Sequence, residues 1–157
     1  MIPSARVCAI VLRDAHKEEG NPMKLDGGCH CGKITFEAEA DPEDARICHC
    51  TDCQLLSGSA FRTVVPTVED GFRLLTGEPK VYVKTAESGR RRAQAFCADC
   101  GTHIYATSVD EGPKVYGVRV GTLRQREQIV PRLQLWSRSA RPWLGELETI
   151  PKVEKQV

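Results

Sequence analysis

The chain has 157 residues, enough for one domain with a buried core and short for two. Its 22 Lys and Arg against 21 Asp and Glu leave a formal net charge of +1, which gives no electrostatic case for a nucleic acid or an anionic membrane as partner. Thirteen Gly, nine Pro and many short apolar alternations favour strands and turns over long amphipathic helices.

Residues 1–22 read as an N-terminal extension, and 23–157 as a single domain. The apolar run Val7 to Leu12 is too short for a signal-peptide core or a membrane span, and Asp14, Glu18 and Glu19 argue against a transit peptide. Met23 stands immediately before the first patterned stretch, so translation could begin at Met1 or at Met23. Cys8 and His16 fall in the extension and are read as parts of a loosely ordered tail.

Gly27-Gly28-Cys29-His30-Cys31-Gly32 is a glycine-flanked knuckle that lets backbone wrap closely around a metal. Ile34, Phe36, Ala38 and Ala40 then alternate with polar residues, the pattern of a strand with one buried face, which Asp41-Pro42 ends. The next feature is Cys48-His49-Cys50-Thr51-Asp52-Cys53, three thiols in six residues. In extended backbone Cys48 and Cys50 point the same way while His49 faces elsewhere. Thr51 as N-cap with Gln54 in a capping box, and Gly58 as the stop, predict one short helix with Cys53 in its first turn. Unpaired N–H groups there favour a thiolate.

Beyond it, Phe61 to Val65 reads as a strand stopped at Pro66, and Glu69-Asp70-Gly71 as a turn before Phe72 to Leu75. Val81 to Val83 is another strand, and Arg90-Arg91-Arg92 leads a further one toward Phe96. That strand runs into Cys97-Ala98-Asp99-Cys100-Gly101, the shape of a zinc-ribbon half-site. Strands are predicted at Thr102 to Thr107, Val115 to Gly121 and Leu133 to Trp136, with Asp110-Glu111-Gly112-Pro113 as a turn.

Seven of the eight cysteines fall as C-x-C, C-x-C-x-x-C and C-x-x-C, which is metal spacing and not the frame of a secreted disulfide protein. A reducing, cytoplasmic location is expected. Filled by whole knuckles, seven thiols make one closed four-cysteine site and one open three-cysteine site. Sixteen residues separate Cys31 from Cys48 and 43 separate Cys53 from Cys97, so loop length forbids neither of two pairings. One joins Cys50 and Cys53 to Cys97 and Cys100. The other joins Cys29 and Cys31 to Cys97 and Cys100 and leaves the triplet a metal of its own. His30 and His49 should point away from the metals, and His103 is close enough to support one. Arg90 to Arg92 could meet a carboxylate but read as a solvated strand end, and Trp136 and Trp143 read as packing residues. Ser57 and Ser59 have no base partner and are not proposed as nucleophiles.

The ordered set GG-C-H-C-G-K, C-H-C-x-x-C-x-x-x-S-G-S-A-F and F-C-x-x-C-G-T, with Gly121-Thr122-Leu123 and a terminal Pro142-Trp143, resembles the glutathione-dependent formaldehyde-activating enzyme family over Met23 to about Pro151. The resemblance implies an all-β fold, mainly antiparallel and of the β-tent type, with one short helix and two zinc ions per chain. It implies a structural zinc on Cys29, Cys31, Cys97 and Cys100, and a catalytic zinc on Cys48, Cys50 and Cys53. It also implies a carbon–sulfur lyase that joins glutathione, or a similar thiol, to formaldehyde or a small aldehyde as an S-hydroxymethyl adduct, or reverses that step. A non-enzymatic zinc module binding a protein or small ligand is the alternative. A thiol redox enzyme is disfavoured because no patterned cysteine is left over. The chain departs from the family pattern at Arg124-Gln125, where acidic residues are common.

Overall fold

A computed structural model describes residues 20–156; Cys8 and His16 lie outside the described residues. In chain order the elements are β1 (Met23–Gly28), β2 (Thr35–Ala40), β3 (Arg46–Cys48), α1 (Thr51–Ser57), β4 (Arg62–Thr76), β5 (Lys80–Thr85), β6 (Arg91–Phe96), β7 (His103–Ser108), β8 (Gly117–Arg119) and β9 (Leu133–Leu135). Short 3-10 turns fill several connections, the longest over Pro142–Thr149. The fold is mainly antiparallel β with one short α-helix. The described residues include no helix long and apolar enough to cross a membrane.

The strands follow one another as β1-β2-β4-β8-β7-β6-β5, with β3 beside β4 and β9 beside β3. Among the described strands, only the β3–β9 pair is parallel. Strand β4 belongs to two wings of this sheet. Its start pairs with β3 and β8 through Arg62 to Pro66, and its remainder pairs with β2 from Thr67 to Thr76. The expected stop at Pro66 and turn at Glu69-Asp70-Gly71 are therefore a bend inside one strand. Pro66 is the last β4 residue paired with β8, and the chain turns where Asp70 takes a left-handed conformation (φ 52°). Aspartate tolerates that region, and the bend is held by Asp70 N–H donating to the Lys114 carbonyl (2.7 Å) and Lys114 N–H donating to the Asp70 carboxylate (2.8 Å).

The wings close on a core made by the period-2 pattern of each strand. Phe36 and Phe72 from one wing meet Tyr105 and Tyr116 from the other, with ring centroids 4.8–5.1 Å apart. Val65, Ala95, Ile104, Val118 and Leu123 are buried with them. Val65 pairs with Val118, Val118 with Tyr105, and Tyr105 with Ala95, so one face of the larger wing is apolar across four strands. The opposite face carries the polar groups described below.

Strand β1 was not among the sequence expectations, and its glycines explain why. Gly27 and Gly28 complete the pairing with Phe36 and Thr35 without alternating side chains. Gly27 has ordinary backbone angles but no room for a side chain, because a Cβ there would overlap the Thr122 carbonyl oxygen and stand 2.8 Å from Phe36 Cζ. Its smallness serves strand packing and not a metal. Gly27→Ala is expected to lower stability by about 1–3 kcal/mol through overpacking. Urea denaturation should show this as a lower midpoint at an unchanged slope.

Arg124-Gln125, the departure noted above, ties the following loop to β1. Gln125 Nε2 donates to Asp26 Oδ1 (2.7 Å), Asp26 N–H donates back to Gln125 Oε1 (3.2 Å), and Arg124 Nε lies 3.0 Å from Asp26 Oδ2.

Candidate metal centres

Each glycine-ended knuckle is a tight turn between paired strands. Cys29 N–H and Ile34 N–H turn back on Ile34 O and Cys29 Sγ (2.9 and 3.2 Å), and Gly32 closes the turn with φ 78°. The partner knuckle repeats the plan. Cys97 N–H donates to Thr102 O (2.9 Å), Gly101 N–H donates to Cys97 O (2.9 Å), and Gly101 has φ 71°. Both glycines occupy the left-handed region that other residues enter at a cost.

The two turns meet. The four sulfurs of Cys29, Cys31, Cys97 and Cys100 lie within 4.8 Å of one another. The separations Cys29–Cys31 (3.5 Å) and Cys31–Cys97 (3.8 Å) match the edge of a tetrahedron of four sulfurs about 2.3 Å from a central ion, which is about 3.8 Å. Thr102 stitches the turns by accepting from His30 N–H (3.1 Å) and lying 3.2 Å from Cys100 Sγ, and Lys33 pairs with Asp99 at 2.7 Å. His30 is exposed and directed away, as its place between ligands suggests.

The second group is Cys48, Cys50 and Cys53, whose sulfurs also lie within 4.8 Å of one another. These are the two groups of three or more potential metal ligands among the described residues, and both have the soft donors that suit zinc. Of the two pairings left open by spacing, the structure brings together the one that keeps the triplet separate.

Local folding explains the triplet. Cys48 ends β3, and Cys50, not Thr51, caps α1: its Sγ accepts from Cys53 N–H at 3.3 Å. The capping box fails to form because Gln54 is used elsewhere, donating through Nε2 to His49 O (2.7 Å) and Ser139 O (2.9 Å). His49 is buried facing away from the thiols, with Nε2 2.8 Å from Gln134 Oε1 and its ring edge-on to Phe61. Gly58 ends the helix at φ 62°. In the free thiols the neighbouring Cys53 thiol holds Cys48 down to about 5, and Cys48 in turn, with burial, pushes Cys53 up. Ser57 donates to Cys53 O (2.6 Å), a helix-backbone role.

Cross-strand register then decides what surrounds the triplet. Cys48 is directly opposite Arg62, and Arg119 is opposite Val64, two residues further along the same face. Gln94 continues this face and accepts from Arg119 Nη2 at 2.8 Å. Both arginines lie under 10% exposed, at 5% for Arg62 and 8% for Arg119. Arg62 Nη1 and Nη2, Arg119 Nε and His103 Nδ1 are buried without a hydrogen-bond partner. Burial first, then the adjacent Arg62, holds Arg119 down to about 9, still cationic at neutral pH. Burial lowers His103 too, with Arg62 and Arg119 adding to the effect, so its charged form is disfavoured. His103 stacks on Phe96 (5.6 Å) and is not part of the thiol group. The arginines were not singled out from sequence. The available signal was their alternation with apolar residues, in Phe61-Arg62-Thr63-Val64 and Val118-Arg119-Val120, where a strand buries both faces.

A cavity of about 300 Å³ opens beside the triplet, lined by Cys50, Asp52, Lys84, Glu87, Trp136 and Ser139 among others. Lys84 pairs with Asp52 and ties α1 to β5, and Arg138 pairs with Glu87 at 2.7 Å. Trp136 and Trp143 are half-exposed cavity walls and not the packing residues expected from sequence. Of the arginine run, Arg90 and Arg91 are exposed, whereas Arg92 is partly buried opposite Lys84 on the triplet's face.

A family model described as glutathione-dependent formaldehyde-activating enzyme matches residues 24–139. Among solved structures, a crystal structure of a Rhodobacter sphaeroides protein aligns with a TM-score of 0.53 and 23% identity, covering 69% of this chain and 98% of that one. At that identity the likeness shows a shared fold.

Proposed function

The chain belongs to the glutathione-dependent formaldehyde-activating enzyme family, and from that premise we propose a zinc-dependent carbon–sulfur lyase acting at Cys48, Cys50 and Cys53. It joins glutathione, or a similar thiol, to formaldehyde or another small aldehyde, or reverses that step. In the forward direction the sulfur–carbon bond forms, the carbonyl π bond opens, and the thiol proton ends on the former carbonyl oxygen. The observation that carries this reading is the convergence of three thiols, with no fourth ligand grouped with them among the described residues, beside a cavity.

Catalytic zinc keeps such an exchangeable position, where it depresses a thiol's pKa or polarises a carbonyl. The protein's own part is positioning. Gln54 and His49 lock the backbone between the ligands, the Cys50 cap fixes Cys53, and the Lys84–Asp52 pair holds α1 over the sheet. Arg92, across the β5–β6 ladder from the cavity-lining Lys84, supplies positive charge on this face for a substrate carboxylate. Cys29, Cys31, Cys97 and Cys100 are proposed to hold a structural zinc. The domain is proposed as 23–157 with 1–22 an extension, and the location as the reducing cytoplasm.

Metal-replete protein is expected to carry about two zinc ions per chain. A mild chelator should remove one while circular dichroism stays unchanged. With cobalt in place of zinc, glutathione should alter the visible spectrum, and S-methylglutathione, which keeps the carboxylates but offers no thiolate, should do so far more weakly. A single zinc under all metal-replete conditions, or equal responses to the two ligands, would sink this reading.

A further inference from the structure

We propose that Arg62 and Arg119 form a buried cationic pair that selects an anionic sulfur, a thiolate, as the fourth ligand at the Cys48–Cys50–Cys53 site. The proposal rests on the reading of that site as a metal centre, and deepens it by naming the charge state of the substrate that the pocket takes.

The two guanidinium groups are held at the thiols by register: Arg62 directly across from Cys48, and Arg119 two positions along the same face. Buried charge is costly unless compensated, and buried N–H donors are costly unless they find acceptors. Yet among the described residues Arg62 leaves both Nη atoms unpartnered and Arg119 leaves Nε unpartnered. Neither arginine forms an ion pair with a carboxylate among the described residues. The carboxylate closest to the triplet along the chain, Asp52, is taken by Lys84, and Glu87 is taken by Arg138. His103, near enough to feel both arginines, is disfavoured as a cation and supplies no negative charge. Among the described residues, the negative charge beside them is that of the thiolates and what they hold.

Charge accounting then discriminates between ligands. Three thiolates around a dication carry one net negative charge, and the arginine pair carries two positive charges. Counting these groups alone, a neutral ligand in the fourth position leaves an excess of one positive charge and a thiolate cancels it, and the half-buried Arg92 on the same face adds to the preference for an anion. The unpartnered N–H groups also match sulfur, since thiolates accept hydrogen bonds from such donors. Arginine suits the task because its charge is not lost on burial and its fork can reach two sulfurs at once. The same accounting accepts a thiol once its proton has passed to solvent and rejects a thioether.

The test uses the cobalt-substituted full chain and two small ligands without carboxylates: 2-mercaptoethanol, which binds as a thiolate, and imidazole, which binds neutral. Arg62→Gln and Arg119→Gln should each weaken mercaptoethanol about tenfold or more, with imidazole unchanged or tighter, because one nearby positive charge is removed. Arg62→Lys, which keeps the charge, should retain most of the preference. In the wild-type protein azide should displace imidazole from the metal, a measurement independent of how the variants fold. Imidazole holding against azide, or glutamine variants that weaken both ligands alike, would overturn the proposal. Failure of any second cobalt to bind would remove the site and this proposal together, whereas a second cobalt indifferent to ligand charge removes only the role given to the arginines.

Discussion

Cys97→Ser and Cys29→Ser are expected to give insoluble or molten protein, while Cys50→Ser is expected to stay folded. The difference follows from what each thiol group joins. Cys29 and Cys31 close the turn after β1, Cys97 and Cys100 the turn after β6, and their sulfurs meet across the two wings with Cys97 and Cys29 buried. Structural zinc contributes on the order of 10–16 kcal/mol in small zinc peptides, whereas a whole domain is stable by about 5–15 kcal/mol. If the four thiols hold the proposed structural zinc, losing it would remove a contribution as large as the total. The triplet sits within six residues and closes no long loop. Serine is also a good helix N-cap, so Cys50→Ser keeps an acceptor for Cys53 N–H where the native sulfur accepts it. That variant should lose one zinc and the activity together. Soluble yield, circular dichroism and zinc content decide it, and a folded Cys97→Ser beside a collapsed Cys50→Ser would reverse the roles.

Phe36→Ala should be the most damaging single change away from the cysteines, at about 3–5 kcal/mol. Phe36 is fully buried, stacks on Phe72 at 5.1 Å, and lies under Gly27 where β1 crosses the Thr122 carbonyl. Truncation leaves a cavity between strand backbones that cannot easily collapse. For a chain of this length that corresponds to a fall in melting temperature of roughly 6–20 °C. Leu55→Ala, on the exposed face of α1, should stay within about 0.5 kcal/mol and serves as the control. Comparable melting curves for the two variants would show that the core is not centred where the packing puts it.

The parts of this fold legible in the sequence were those written in short-range pattern. The alternation from Ile34 to Ala40, the knuckle glycines Gly32 and Gly101, and the helix stop at Gly58 each reflect one local constraint, and each appears where it was read. Thr51 misled because a cysteine sulfur took the cap, an option that helix statistics underweight. The break expected at Glu69-Asp70-Gly71 became a bend because Lys114, forty-four residues away, supplies partners to Asp70. Arg62 and Arg119 escaped notice for a related reason. Only strand register, set by the β3–β4 and β4–β8 ladders, shows that they share a face with Cys48, and no local pattern encodes that pairing.

The distance along the chain between the two knuckles also sets an order of events during synthesis. Cys31 and Cys97 are separated by 66 positions. At translation rates of about 5–20 residues per second, the first knuckle waits roughly 3–13 s after leaving the ribosome before its partner exists. The β1–β2 hairpin can form in that interval, since its strands are neighbours, but its two thiols have no second pair with which to share an ion. The triplet, complete within six residues, is under no such delay and can take metal first. On the proposed division of metals, the more weakly held ion would be the first that the nascent chain can acquire, and the one that locks the fold the last.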